Sequence, residues 1–359
     1  MERQVCSDPV MITADLAGIG GRIKTWPEDF VVDEIPAYQP EGQGNHLYLW
    51  VEKRDVGAEY FVRTIARKLG ISTGEVGTAG LKDRHAVTRQ MVSVPASAET
   101  RLNLIQGDGI RLLNVNRHNN KLRPGHLRGN RFDVRVRDTD PEAPTRIGAL
   151  IDRIKRQGLP NYYGSQRFGH DGETAELGME LLHGKSETAA AAGGRKNRLN
   201  PFLRKLALSA AQSTLFNLYL CRRMGEGLLH RVLEGDVMAK LPFGGLFSAE
   251  DVAREQERFD RRETVHTGPI FGRKMFRASH LAAARESEAL SESGLDQRSF
   301  WGFGKLLQGT RRQNIVYVDD LQAQVESEAI RLTFSLPAGS YATVLLKEVM
   351  KTAKLDSME

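Results

Sequence analysis

Along the first third of the chain apolar and polar positions alternate, and the alternation predicts strands. Residues 30–35 read Phe-Val-Val-Asp-Glu-Ile, follow a Trp26-Pro-Glu-Asp29 turn and stop at Pro36. In residues 46–51, Leu47, Leu49 and Val51 share one face, as a half-buried strand requires. Residues 88–94, 110–115 and 130–136 continue the pattern. The last of these sets Phe132, Val134 and Val136 inward against Arg131, Asp133, Arg135 and Arg137. One segment departs from the two-residue period. Phe61, Ile65 and Leu69 recur at helical spacing, so residues 58–69 read as a helix that Gly70 ends.

The middle of the chain is different. From residue 171 to about 290 the period is mostly helical, with a long apolar stripe over 200–224. Ala189 to Gly194 forms a short low-complexity loop, and 249–263 is dense in charge and reads as exposed. After Arg311-Arg312 the strand pattern returns at 315–318 and 330–336. Pro337-Ala-Gly339 then leads into a final helix over 341–350, with Ser340 as its N-cap. Strands, helices and strands again describe a sheet domain interrupted by a helical insertion, without internal repeats. A length of 359 residues also suggests two domains.

Charge sharpens the picture. The 51 Lys and Arg outnumber 45 Asp and Glu, for a net charge of +6. Between Arg111 and Arg137 the excess is local: Arg111, Arg117, Lys121, Arg123, Arg128, Arg131, Arg135 and Arg137 stand against Asp133 alone. A second basic group, Arg195, Lys196, Arg198, Arg204 and Lys205, opens the long helix. Such clusters suit phosphate neutralisation. Cys6 and Cys221 form no CxxC, which fits a reducing cytoplasmic setting and two incidental thiols. The amino terminus lacks a signal pattern, and no apolar run approaches the ~18 residues that span a bilayer, so the chain reads as soluble and intracellular. Dinucleotide, phosphate-loop, zinc and nucleophile-elbow signatures are all missing, which leaves no metal, redox or nucleotide cofactor site.

Chemistry concentrates in Gly80-Leu-Lys-Asp-Arg-His-Ala-Val-Thr-Arg-Gln90. Asp83 stands between Lys82 and Arg84 in a segment entered through Gly77, Ala79 and Gly80, small residues that let backbone approach a ligand. An isolated Lys-Asp-Arg triplet is usually a solvated turn. Yet cations beside a carboxylate favour its anion and also suit phosphates, which points to nucleophilic or proton chemistry on a nucleic acid. Asn161-Tyr-Tyr-Gly-Ser-Gln-Arg-Phe-Gly169 is either an RNA-facing loop or a structural turn. In Gly129-Asn-Arg-Phe132, Asn130 can orient a carboxylate or read a base edge. Phe132 belongs to the core by alternation, although a phenylalanine can also stack on a base. Phe30, four residues from Glu34 on one strand face, is core by the same reasoning.

These motifs together resemble the TruD family of tRNA pseudouridine synthases. Ala79 to Gln90 looks like the family's catalytic motif, and Asp29-Phe-Val-Val-Asp-Glu34 is similar to its Phe-x-Val-x-Glu pattern. Gly129-Asn-Arg-Phe132 and the Asn161 to Gly169 block match further motifs, with Tyr163 where phenylalanine is usual. Thr267-Gly-Pro-Ile-Phe-Gly272, Arg311-Arg312 and Leu336-Pro-Ala-Gly-Ser-Tyr-Ala-Thr-Val344 follow in the family's order. Residues 233–263 carry no family pattern.

The resemblance implies an α+β fold, a pseudouridine-synthase catalytic domain with a mixed, largely antiparallel sheet interrupted by a mostly helical TRUD insertion domain. The expected boundaries are 1–160 and 304–359 for the catalytic domain and 161–303 for the insertion. It implies a monomeric isomerase that turns uridine into pseudouridine in tRNA, typically at position 13 of the D-arm. Asp83 is then the essential aspartate, acting without cofactor or metal as nucleophile at C1′ or as base at C2′. One of Phe30 and Phe132 would stack on the flipped uracil, Asn130 would orient Asp83, and Lys82 or Arg84 would keep it charged. Two readings from other classes remain beside this one. An RNA-binding module could keep the basic surface without chemistry, and a metal-dependent nuclease would need an acid and histidine cluster that the sequence lacks.

Overall fold

The computed structural model describes residues 9–184, 199–242 and 244–352. Cys6, the loop from Ala189 to Gly194, and Arg195, Lys196 and Arg198 lie outside the described residues. The chain divides into two compact units: Asp15–Arg156 with Val318–Glu359, and Gln157–Tyr317 with Met1–Ala14.

The first unit is built on one nine-stranded sheet. In chain order it contains β1 (Gly20–Arg22), β2 (Phe30–Pro36), β3 (His46–Arg54), a helix Ala58–Leu69, β4 (Gly77–Thr78), β5 (Val87–Pro95), β6 (Ile110–His118) and β7 (Leu127–Thr139). A helix Ala143–Gln157 follows, and after the second unit come β14 (Gln322–Val325), β15 (Ala329–Pro337) and a helix Ala342–Met350. The sheet runs β14-β15-β7-β2-β5-β3-β6, with β1 on β7 and β4 on β5. All its pairings are antiparallel except β2 with β5. The mixed, largely antiparallel sheet expected from the sequence is present.

Helix Ala58–Leu69 starts and stops as its periodicity predicts. Gly70 takes the left-handed conformation (φ 61°) that closes the last turn. Its buried Phe61, Ile65, Ala66 and Leu69 pack against Leu47, Leu49 and Val51 of β3 and Val92 and Val94 of β5. The alternation that suggested a half-buried β3 therefore marks its helix-facing side. The expectation at the last helix needs a correction. Tyr341, not Ser340, is the N-cap residue, and no side chain caps that end. Helix Ala143–Gln157 was not expected from the strand-dominated first third, although Ile147, Leu150, Ile151 and Ile154 form its buried stripe.

The second unit contains helices Glu173–Leu182, Pro201–Gly225, Val252–Asp260 and His280–Glu292. It also contains more strand than its helical period suggested. Strands β9 (Val237–Lys240), β10 (Leu246–Ser248), β11 (Thr264–Ile270) and β12 (Thr310–Gln313) form a sheet in the order β10-β9-β11-β12. Every residue of β11 is buried, so it shows no alternation to read. A further pair joins β8 (Leu159–Pro160) to β13 (Ile315–Val316).

Several of the recurring motifs prove to be joints inside this unit. Arg312 donates to the Asn161 carbonyl (2.9 Å) and side-chain oxygen (2.7 Å), and its guanidinium lies 4.1 Å from the Tyr163 ring centre. Arg311 donates to the Thr267 carbonyl and to Glu286, each at 2.7 Å. Arg223 and Asp236, both fully buried, pair through two bonds of 2.8 and 2.7 Å, and Arg223 also donates to the Tyr219 hydroxyl. Burial, with the Arg223 charge nearby, pushes the neighbouring His266 down to about 3, so it stays neutral at physiological pH.

Replacing one member of such a pair strands the other. Arg223→Met should lower stability by about 3–5 kcal/mol, because Asp236 is then a buried carboxylate without its partner. Urea unfolding measures this, and a loss under about 1 kcal/mol would mean that the pair contributes little.

Candidate active site

The site grows from a place where the sheet is incomplete. Strands β2 and β5 pair in parallel over three residues only, Val31 with Val87, Val32 with Thr88 and Asp33 with Arg89. Beyond this the main-chain ladder gives way to a side chain: the Met91 amide donates to Glu34 Oε1 at 3.2 Å. On the other flank of β2 the antiparallel register sets Glu34 opposite Asn130 and Val32 opposite Phe132, and β15 places Phe334 opposite Phe132. Opposed residues share a face of a sheet. Phe30, Val32, Glu34, Asn130, Phe132 and Phe334 therefore lie on one side.

Rings and polar groups occupy that side together. Phe30 and Phe132 meet edge to face with ring centres 6.1 Å apart, and Phe132 stacks on Phe334 at 5.1 Å. Both Phe30 and Phe132 are buried, as alternation predicts. Gly129 is required beside them, since a Cβ there would collide with the Leu336 carbonyl of β15. Around the rings the buried Asn130 Oδ1, Thr88 Oγ1 and Gln90 Oε1 have no hydrogen-bond partner. Unpartnered buried acceptors are rare in folded proteins, and a cluster of them is a reason to look for a ligand.

Asp83 lies in the loop between β4 and β5, with its side chain 36 % exposed. The cation that meets it is Lys24, whose Nζ is 3.3 Å from Asp83 Oδ2 and 4.8 Å from the Phe30 ring centre. This differs from the expectation that Lys82 or Arg84 serves that role. Lys82 turns the other way and pairs with Glu34 at 2.9 Å, both groups buried. That contact is close but off the line of a good hydrogen bond, so it counts as charge compensation. Arg84 is exposed. Asn130, expected to orient Asp83, makes no hydrogen bond to it among the described residues.

The loop itself is held from beneath by Lys53. This residue is fully buried on β3 opposite Thr88, and its ammonium donates to the carbonyls of Val56 (2.6 Å), Asp83 (2.5 Å) and Lys82 (3.3 Å). Burial pushes Lys53 down to about 8, against the opposing pull of Asp83. Three carbonyl acceptors call for three N–H donors, which the ammonium has and the neutral amine lacks.

Sequence reasoning missed both supporting lysines. Nothing marks Lys24, 59 positions from Asp83, apart from any surface lysine. Lys53 did carry a signal: it continues the inward phase of Leu47, Leu49 and Val51, where a lysine is out of place. The basic run between 111 and 137 is less available than its charge suggested. Arg111 pairs with Glu52, Arg117 with Glu99, Arg135 with Glu326 and Arg137 with Asp29. Arg123, Arg128 and Arg131 remain exposed.

Known proteins resemble this chain along nearly its whole length. The family model described as tRNA pseudouridine synthase D (TruD) matches residues 9–193 and 194–349. The chain belongs to the TruD family of tRNA pseudouridine synthases. It is 44 % identical over 346 residues to tRNA pseudouridine synthase D of Anaeromyxobacter sp. (strain Fw109-5), covering 96 % of this chain and 97 % of the relative. A Thermus thermophilus protein of the same description is 40 % identical over 349 residues, covering 97 % and 94 %. Among solved structures, the putative tRNA pseudouridine synthase D from Methanosarcina mazei superposes with a TM-score of 0.79 at 26 % identity, over 99 % of this chain and 98 % of that one.

The Lys53 geometry gives a prediction with two opposite signs. Between about 8 and 10.5 the unfolded chain holds this proton more tightly than the folded protein, so this group alone makes folding more favourable as pH rises through that window. Turnover should move the other way and fall above about pH 8, as the loop loses a donor. Lys53→Met should lower kcat by roughly 10- to 100-fold through misplacement of the loop, with tRNA affinity near wild type. Its pH profile should lack the alkaline limb, and a profile identical to wild type would dissociate Lys53 from the site.

Proposed function

We propose that Asp83 carries out the isomerisation, with Phe30, Phe132, Asn130, Lys82 and Arg84 as the substrate-binding and orienting groups around it. The enzyme converts uridine to pseudouridine in tRNA. The observation that supports Asp83 most strongly is its setting: a partly exposed carboxylate with a cation at 3.3 Å, on a loop clamped to the sheet and beside buried aromatic rings. We propose position 13 of the D-arm as the target, a monomer as the working state, residues 161–303 as the TRUD insertion domain, and the cytoplasm as the location. The family pattern supports the first three of these, and the absence of any helix able to cross a membrane among the described residues is consistent with the last.

The chemistry balances without an external reagent. The N1–C1′ bond breaks, the uracil turns, C5 bonds to C1′, the proton on C5 leaves to solvent and N1 takes one up. The uridine first leaves its stack, at a cost of a few kcal/mol. Asp83 then attacks C1′ as a nucleophile, or removes the C2′ proton to give a glycal. In both routes the carboxylate has to be an anion, and Lys24 supplies its countercharge. One face of the Phe30 and Phe132 pair receives the flipped base, and the unpartnered Asn130 oxygen is an acceptor within the same sheet face. Lys82 acts indirectly, by neutralising Glu34 where that carboxylate closes the sheet.

The reading is tested by tritium release from tRNA transcripts carrying 5-tritiated uridine, in the presence of chelator. Wild-type enzyme should release tritium from one position, and mapping the product nucleotide checks the D-arm assignment. Asp83→Asn keeps the shape and removes the charge. It should lose at least about 1,000-fold in turnover while binding tRNA nearly as well. Near-normal release by that variant would remove Asp83 from the mechanism.

A further inference from the structure

We infer that a groove on the far side of the catalytic loop, lined by Arg54, Val56, Gly57, Tyr60, Arg84 and Gly109, holds a nucleotide adjacent in the RNA strand to the target uridine. This rests on the function proposed above. The groove has a volume of about 550 Å³. It lies entirely within the unit that carries Asp83.

Its charges are spoken for, with one exception. Arg54 bonds Glu28, Asp55 Oδ1 lies 2.9 Å from His85 Nδ1, and Asp108 pairs with Lys68 at 3.0 Å. Arg84 alone has no hydrogen-bond or ion-pair partner among the described residues, and it is exposed. Its side chain runs past Gly57, where a Cβ would meet nothing closer than Arg84 Cδ at 4.0 Å. Asp83 reaches toward Lys24, whereas Arg84 reaches into the groove. One residue of backbone therefore separates the reacting carboxylate from an unpaired cation, and an RNA strand with its uridine at Asp83 has a phosphate next to that base.

The groove also offers a ring. Tyr60 sits on the outer face of helix Ala58–Leu69 and is 49 % exposed. No ring or cation contact engages it among the described residues, whereas the neighbouring Phe61 is 1 % exposed and fills the core. A free aromatic face beside a free guanidinium suits a nucleotide, with the base on the ring and the phosphate on the arginine. Every base has a π-face, so the subsite fixes the strand without demanding one sequence. Gly57 leaves the wall beside Arg84 open at backbone level.

The test compares Tyr60→Ala, Tyr60→Phe and Arg84→Gln in steady-state pseudouridine formation, with thermal unfolding to verify that each variant folds. Tyr60→Ala should raise KM for tRNA by roughly 5- to 100-fold, more than it lowers kcat, and Tyr60→Phe should restore most of the loss. Arg84→Gln should weaken binding and reduce the salt slope by about one phosphate contact. A tRNA with 4-thiouridine on one side or the other of the target should crosslink to the peptide containing Tyr60 from one of the two positions. Active wild-type enzyme with no KM change in Tyr60→Ala and no crosslink from either position would overturn the groove assignment alone. Wild-type enzyme that forms no pseudouridine would overturn the function itself, and this inference with it.

Discussion

A buried ammonium holds the catalytic loop in place. Lys53 projects from β3 and spends its donors on three carbonyls, two of them in the Lys82-Asp83 peptide units. Side chains of a loop take their direction from its main chain, so fixing these carbonyls sets where the neighbouring side chains leave the backbone. Lys82 goes inward to Glu34, Asp83 toward Lys24, and Arg84 out to the groove. Burying a charge costs free energy, and the lowered affinity of Lys53 for its proton is a sign of that cost. The cost is offset where charge-assisted bonds are short and every donor is used.

The second constraint is the brevity of the β2–β5 pairing. Had these strands continued in register, main-chain bonds would fill the space that Glu34 now occupies, and no polar cluster would form between them. The gap lets one carboxylate serve two purposes, closing the ladder at Met91 and neutralising Lys82. On the same face Asn130, Thr88 and Gln90 keep acceptors unused. A sheet this extensive can tolerate the opening because much of its apolar mass lies elsewhere, under helix Ala58–Leu69 and along Val136, Ile330 and Leu332. Stability and chemistry are thus assigned to different parts of the same face.

Much of this was legible in the residues. Strand β2, the inward phase of β3 and helix Ala58–Leu69 followed from periodicity because each buries a single face, and burial on one face is what periodicity records. Strand β11 was invisible for the complementary reason: all seven of its residues are buried, so nothing alternates. Asp83 stood out through composition, as a carboxylate amid cations and small residues. Its real partner did not, because Lys24 and Asp83 meet only through the fold, and a lysine in Arg22-Ile-Lys-Thr25 has no local mark. By its motif alone the Asn161 block is open between an RNA-facing loop and a structural turn. In the structure Arg312 ties Asn161 down, and Arg311 with Thr267 forms a similar joint within the second unit.

A reaction that only rearranges its substrate places an unusual demand on a protein. No reagent enters, so rate acceleration in the proposed mechanism must come from geometry and from fixed charge. Geometry of that kind is stored in groups that never touch the substrate. Lys53 aims the loop, Glu34 and Lys82 hold the strand it leads into, and Gly129 lets β7 and β15 approach beneath Phe132. Each of these is buried or nearly so, and each would be costly to keep if stability were its only return. A neutral apolar residue at position 53 would pack on Leu49 and Val51 with less desolvation, but it would leave three carbonyls unpaired and the Asp83 peptide free to turn. The energetic disadvantage of the buried lysine is therefore the clearest physical sign that the loop's position, more than its stability, is what this part of the fold preserves.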